Sequence, residues 1–352
     1  MALKRTLGAL VLLLAACVTE RGPTLPLAIE RIAIEPKELR LDQGKQTTLR
    51  FEISRPARVV VEMRTETGEV VERSDLGEKP AGAVEATWDG RDLSGAPVPS
   101  GVYLYRITAS DGTSTVASAP VVPGGREVLA QRFTFDRETN TMRFVLPQAS
   151  RVRLRVGMKG YPLLRTLYDW TPMLAGPHEI RWDGSDEMGL VEVTKQAQLD
   201  VNLSAFALPG NALLVTGNGP LDRRPAGAPA EMPGESYRHA LHTSEICREP
   251  RFRVELVGAR RGKSGLPVVS GVAPLRVTLD PSNAVHLVDT RFEIMVFIDT
   301  VLFESEDGSN PFNHQLDTSA LAPGPHLLTV NVLGYDDHFG THTIRFERGA
   351  DQ

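Results

Sequence analysis

Cysteine is nearly missing: Cys17 and Cys247 are the two that 352 residues contain. That excludes a disulfide-dense scaffold, so the cores must hold without covalent staples. An excess of basic charge is missing too. Lys and Arg number 39 against 44 Asp and Glu, a formal net charge of −5, which offers no electrostatic footprint for nucleic acid. No apolar run reaches the roughly 20 residues that a membrane-spanning helix requires. The chain carries neither G-x-S-x-G nor H-E-x-x-H, and Gly124-Gly125 opens no helix that would cradle a phosphate. Beyond the first 16 residues there is no sustained helical periodicity. Aromatic residues make up 6% of the chain and include three tryptophans, so a tryptophan in a repeated setting is informative.

A leader comes first among the features that are there. Lys4 and Arg5 supply a positive start, and Leu7 to Ala16 form a short apolar stretch ending in small residues. The run Leu14-Ala15-Ala16-Cys17 resembles the lipobox of bacterial lipoproteins. The resemblance implies cleavage before Cys17, diacylation of its sulfur and a lipid-anchored life in the cell envelope. Val18 rather than Asp follows it, which by the same resemblance favours the outer membrane, facing the periplasm or the cell surface. Two or three acyl chains anchor stably, at about 0.8 kcal/mol per buried methylene. An ordinary secretory leader with an incidental Cys17 is the other reading. With Cys17 acylated, Cys247 has no intrachain partner.

The chain is organised around a stretch that occurs twice. Trp88-Asp89-Gly90 is followed by Gly95, and Trp182-Asp183-Gly184 by Gly189; both second glycines stand seven residues after the Trp. Asp-Gly between strand-like runs marks a tight turn because Gly takes positive φ, and the Trp is large enough to pin the turn to a core. Stacking on sugar is the alternative use of these rings. Phe51 to Arg58 and Phe144 to Arg151 both span seven residues, while Phe51 to Trp88 spans 37 and Phe144 to Trp182 spans 38. Agreement within one residue marks an internal duplication.

Alternation at Leu49, Phe51 and Ile53, the run Val59 to Met63, and Val102 to Ile107 predict strands. In the last, Tyr103, Tyr105 and Ile107 share one face, with Val102, Leu104 and Arg106 on the other. Short strands at such spacing predict β-sandwiches. Trp88-Asp89-Gly90, Gly95 and Val98-Pro99-Ser100-Gly101-Val102-Tyr103 together resemble the FlgD-type immunoglobulin-like domain, over roughly residues 40–110. The second copy departs after Gly189, where Val191-Glu192-Val193 and Leu199 to Leu203 suggest different closing strands.

The expected fold is therefore all-β, tandem immunoglobulin-like β-sandwiches after a lipoprotein signal peptide. Residues 1–16 are the leader and 17–27 a tether. The FlgD-type Ig-like domain spans 28–122, a second, diverged Ig-like domain 126–215, a Pro/Gly-rich linker 216–236 and a C-terminal Ig-like domain 237–348. Long strand runs at Phe252, Leu275, Phe292 and His326 mark the last.

Metal-ligating types concentrate near the C-terminal domain. His239, His242 and Cys247 offer donors suited to zinc or copper, although a fourth ligand is not evident. His338 and His342 stand four apart, but on an extended strand that separates them by roughly 13 Å. Glu304 to Asn310 reads as an acidic loop between strands that calcium would fit. Asp336-Asp337 beside His338 reads as a polar turn. No cofactor is expected. The expected function is non-enzymatic, a structural or adaptor module with the membrane and a protein or cell-wall polymer as partners. The alternative is a metal- or carbohydrate-binding envelope protein, or a hydrolase, with its site in the C-terminal domain.

Overall fold

A computed structural model describes residues 26–118, 125–221, 249–281, 287, 291–334 and 338–350. The leader with Cys17, most of the 216–236 linker, His239, His242, Cys247 and Asp336-Asp337 lie outside the described residues. The described chain is built from strands, and none of its helices is long and apolar enough to cross a membrane.

In the first module, β1 (Ile29–Glu35), β3 (Thr47–Ile53) and β6 (Gly82–Trp88) form an antiparallel sheet with β3 central. Leu49, Phe51 and Ile53 of β3 point into the core while their neighbours face out, as the alternation predicts. The facing sheet contains β4 (Ala57–Thr65), β5 (Val70–Lys79) and β7 (Gly101–Ser110), with β4 between the others. Tyr103, Tyr105 and Ile107 of β7 join the core; Val102 and Leu104 pack on its other face against Leu208 and Leu214.

The far edge of this sheet is assembled from two distant pieces. Thr115–Ala117 (β8) pairs with residues 108–110 of β7. The other half of that edge is taken by Ala212–Thr216 (β15), antiparallel to residues 101–104 of β7 and parallel to β2 (Glu38–Arg40). Leu213 and Val215 of β15 are fully buried in the first core. A division in sequence order ends the second module at 215; hydrogen bonding instead gives 212–216 to the first. The second module is thus inserted within the closing edge of the first.

That second module repeats the plan. β9 (Gln131–Asp136), β10 (Thr141–Leu146) and β13 (Gly176–Arg181) match β1, β3 and β6. Opposite them, β11 (Ser150–Met158) lies between β12 (Leu163–Met173) and β14 (Leu199–Ala207), as β4 lies between β5 and β7. Leu199 to Leu203 is part of β14. The closing strand expected at Val191 to Val193 is not one: Val193–Lys195 is a single 3-10 turn, held by the Val193 amide donating to Gly184 O at 2.8 Å.

In the third module β16 (Phe252–Leu256), β19 (Val272–Leu279) and β22 (Phe312–Asp317) form one sheet. The other runs β17 (Arg260–Arg261), β18 (Pro267–Val269), β24 (Phe339–Arg348), β23 (Gly324–Leu333), β20 (Phe292–Ile298), β21 (Val301–Gly308). Here β18 pairs parallel to β24, and β24 antiparallel to β23. The third module therefore makes with its own strand what the first obtains from β15. The acidic stretch expected as a loop is mostly strand, because Glu304 to Gly308 pair with β20.

Candidate functional site

The two Trp-Asp-Gly stretches fold alike almost atom for atom. Trp88 Nε1 donates to Arg91 O at 2.8 Å, and Trp182 Nε1 to Ser185 O at 2.9 Å. Asp89 Oδ1 accepts from the Arg91 amide, as Asp183 Oδ1 does from the Ser185 amide. Gly90 and Gly184 sit at φ 80° and 82°, Gly95 and Gly189 at 82° and 69°, the left-handed region that side chains disfavour. At Gly90 a Cβ would also stand 2.3 Å from Leu41 Cδ2. The stretch is not a tight hairpin between paired strands: β6 and β7 lie in opposite sheets, and the loop arches between them. A second carboxylate closes it, Asp92 in one copy and Asp186 in the other, accepting backbone amides across the loop. Both indoles are buried, so they anchor cores and are not free to stack on sugar.

Sequence reasoning missed the row Arg151, Arg153 and Arg155 on β11. Alternating charge along a strand signals a solvated face, yet these residues are 6–7% exposed. Arg151 pairs with Glu66, in the turn after β4, and donates to Trp170 O at 3.0 Å. The Arg153 guanidinium stacks 4.6 Å from the centre of the Trp170 ring. Arg155 pairs with Glu249 at 2.5 Å, at the head of the third module. One face of the second module thus holds a carboxylate from each neighbour. Asn331 of β23 adds a two-way bond: its Oδ1 accepts from the Leu163 amide and its Nδ2 donates to Leu163 O, both at 2.9 Å. Beside this junction a cleft of about 600 Å³ opens, with Tyr161, Asp200, Asn202, Ser204 and Phe339 among its walls.

Burial pushes the Glu249 carboxyl up to about 7; nearby Asp169 adds to this, while Arg155 opposes it. Burial likewise raises Glu66 against the pull of Arg151. A carboxyl raised on folding binds its proton more tightly in the folded state. Its contribution is complete below the unfolded value near 4.5 and is lost as pH climbs through about 7. Glu249 is therefore expected to lower stability as pH rises across that window, by about 3 kcal/mol at most, and Glu249→Gln to remove that part of the slope while the part due to Glu66 stays. An unchanged slope in the variant would remove Glu249 as the cause.

His338 and His342 lie on extended chain just before and on β24, the arrangement that keeps two such side chains apart. His338 is buried just before β24, and His342, on β24, has its ring 6.0 Å from that of Phe252. Burial lowers the His342 pKa. Among the described residues, one group of three metal-ligating side chains comes together: Glu304, Glu306 and His314. It unites two members of the expected acidic stretch with a histidine that the sequence did not mark.

Fold and turns define this protein as an all-β protein of tandem β-sandwich modules. Residues 37–113 match the family model described as the FlgD Ig-like domain. The chain is 36% identical over 76 residues to the basal-body rod modification protein FlgD of Salmonella typhimurium, covering 21% of this chain and 33% of that protein. With FlgD of Escherichia coli K12 it shares 34% over 64 residues, 18% of this chain and 28% of the other. The chain thus spans about a third of the length of the curated relatives it matches. The crystal structure of FlgD from P. aeruginosa is similar at 27% identity, covering 25% of this chain and 66% of that one, with a TM-score of 0.22.

Proposed function

We propose that this chain is a non-enzymatic, lipid-anchored envelope protein that serves as a structural or adaptor module. The observation that carries this reading is the junction. The second module is inserted before the strand that closes the first, and buried arginines join the second to both neighbours. Such interlocking suits a spacer that holds a shape better than a hinged enzyme. The curated relatives match this chain over only about a third of their length, so what carries over from them is a module, not rod modification. Anchoring rests on the resemblance of Leu14 to Cys17 to a lipobox, with the outer membrane as the expected address. Labelled palmitate should enter the wild-type chain, and Cys17→Ala should release it from the membrane fraction. Retention of the variant there would refute the anchor.

The cleft beside the junction favours a second reading, in which the partner is a wall glycan. Tyr161 and Phe339, ring centres 5.7 Å apart, offer apolar faces beside the polar row Asp200, Asn202 and Ser204. Co-sedimentation with peptidoglycan that is lost in Tyr161→Ala would support this; sedimentation unaffected by the change would not.

A further inference from the structure

We propose that Glu304, Glu306 and His314 bind a divalent transition-metal ion of the zinc class on the flank of the third module. Glu304 and Glu306 stand two apart on β21, so both side chains leave the same face of the strand. His314 comes from β22, in the opposite sheet. Its Nε2 lies 2.7 Å from Glu304 Oε2 and its Nδ1 3.5 Å from Glu306 Oε2. The ligand atoms of all three residues lie within 4.8 Å of one another. The imidazole is also oriented, since its ring lies parallel to that of Phe312, 6.0 Å centre to centre.

The charge balance points to a cation. The two carboxyl groups touch each other as well as the histidine, and no Arg or Lys among the described residues lies within 4.0 Å of either. Carboxylates in contact need a shared proton, a protonated His314 between them or a bound cation. One imidazole nitrogen with carboxylate oxygens is a donor set for zinc, which takes ligands at roughly 2.0–2.2 Å. Calcium and magnesium prefer shells made of oxygen, so the histidine argues against both. Three protein ligands leave a position open for water or for a donor from a partner. Because β21 and β22 are edge strands of opposite sheets, the ion would tie the two sheets together on that side.

Titration calorimetry on the intact, chelator-stripped chain tests this, with zinc chloride and calcium chloride as the probes. One saturable zinc site per chain is expected, and no matching calcium heat. His314→Ala and the isosteric pair E304Q/E306Q should each weaken zinc binding by more than the roughly 10- to 100-fold seen on removing a residue that merely supports a ligand. His239→Ala with His242→Ala should leave that site intact. Full zinc binding in the His314 and glutamine variants, or loss only in the His239/His242 variant, would overturn the proposal. Histidine side-chain NMR gives a second reading that does not depend on how the variants fold: His314 resonances must shift with zinc in the wild type. If zinc leaves them unmoved, there is no metal site.

Discussion

Trp88→Ala is expected to cost the first module about 3–5 kcal/mol, the range for truncating a buried aromatic residue. The indole is 6% exposed and meets the Tyr103 ring edge-on at 5.4 Å. Its Nε1 is also the donor that holds Arg91 O at 2.8 Å, so truncation opens a cavity and releases the loop together. Trp88→Phe separates the two contributions. The phenyl ring restores most of the apolar contact but leaves a carbonyl without its donor, a loss of about 1–3 kcal/mol if the group stays buried. Guanidinium denaturation followed by circular dichroism measures both variants. A loss below about 1 kcal/mol for the alanine variant would show that the ring does not anchor the core. Trp182→Ala should behave alike, since its indole makes the equivalent bond to Ser185 O.

The second large effect concerns β15. A chain that stops at Ser118 retains the whole span matched by the FlgD Ig-like family but lacks the strand that covers residues 101–104 of β7. It also loses Leu213 and Val215 from the core, and β2 loses its strand partner. Fully burying two such side chains contributes roughly 1.5–3 kcal/mol each, comparable to the whole stability margin of a small domain. The shortened chain is therefore expected not to fold as a stable module, whereas residues 26–221 should. In the intact chain Leu213→Asp should act in the same direction, because it places a charge at a position with no solvent access. Hydrogen exchange locates the damage: protection should fall in residues 38–40 and 101–105 before it falls in β11. A cooperative unfolding transition in the chain ending at Ser118 would contradict this account.

Much of the fold was legible in the residues. The alternation of β3 and the two faces of β7 could be read directly, as could the spacing that relates Phe51 and Trp88 to Phe144 and Trp182. Each depends on the two-residue period of a strand or on a turn closed by nearby groups. The candidate sites were less legible. Glu304 and Glu306 stood out, but in the expected setting of a loop, and their partner His314 reaches them only because β22 crosses opposite β21. The expected closing strand at Val191 failed because the Gly184 carbonyl captures the Val193 amide and turns the chain.

By itself the sequence determined the β periodicity, the duplicated plan and the chemistry of the Trp-Asp-Gly turns, since these rest on dihedral preferences and hydrogen bonds among near neighbours. Only the tertiary structure decided that β15 completes the first module. Only there, too, did Arg151, Arg153 and Arg155 prove buried. Arg151 meets its carboxylate across 85 positions, Arg155 across 94, and Asn331 meets Leu163 across 168. No local pattern encodes such partners. An open strand edge or a charged face is satisfied by whichever distant surface relieves its unpaired amides and charges most fully, and that choice exists only once the modules pack.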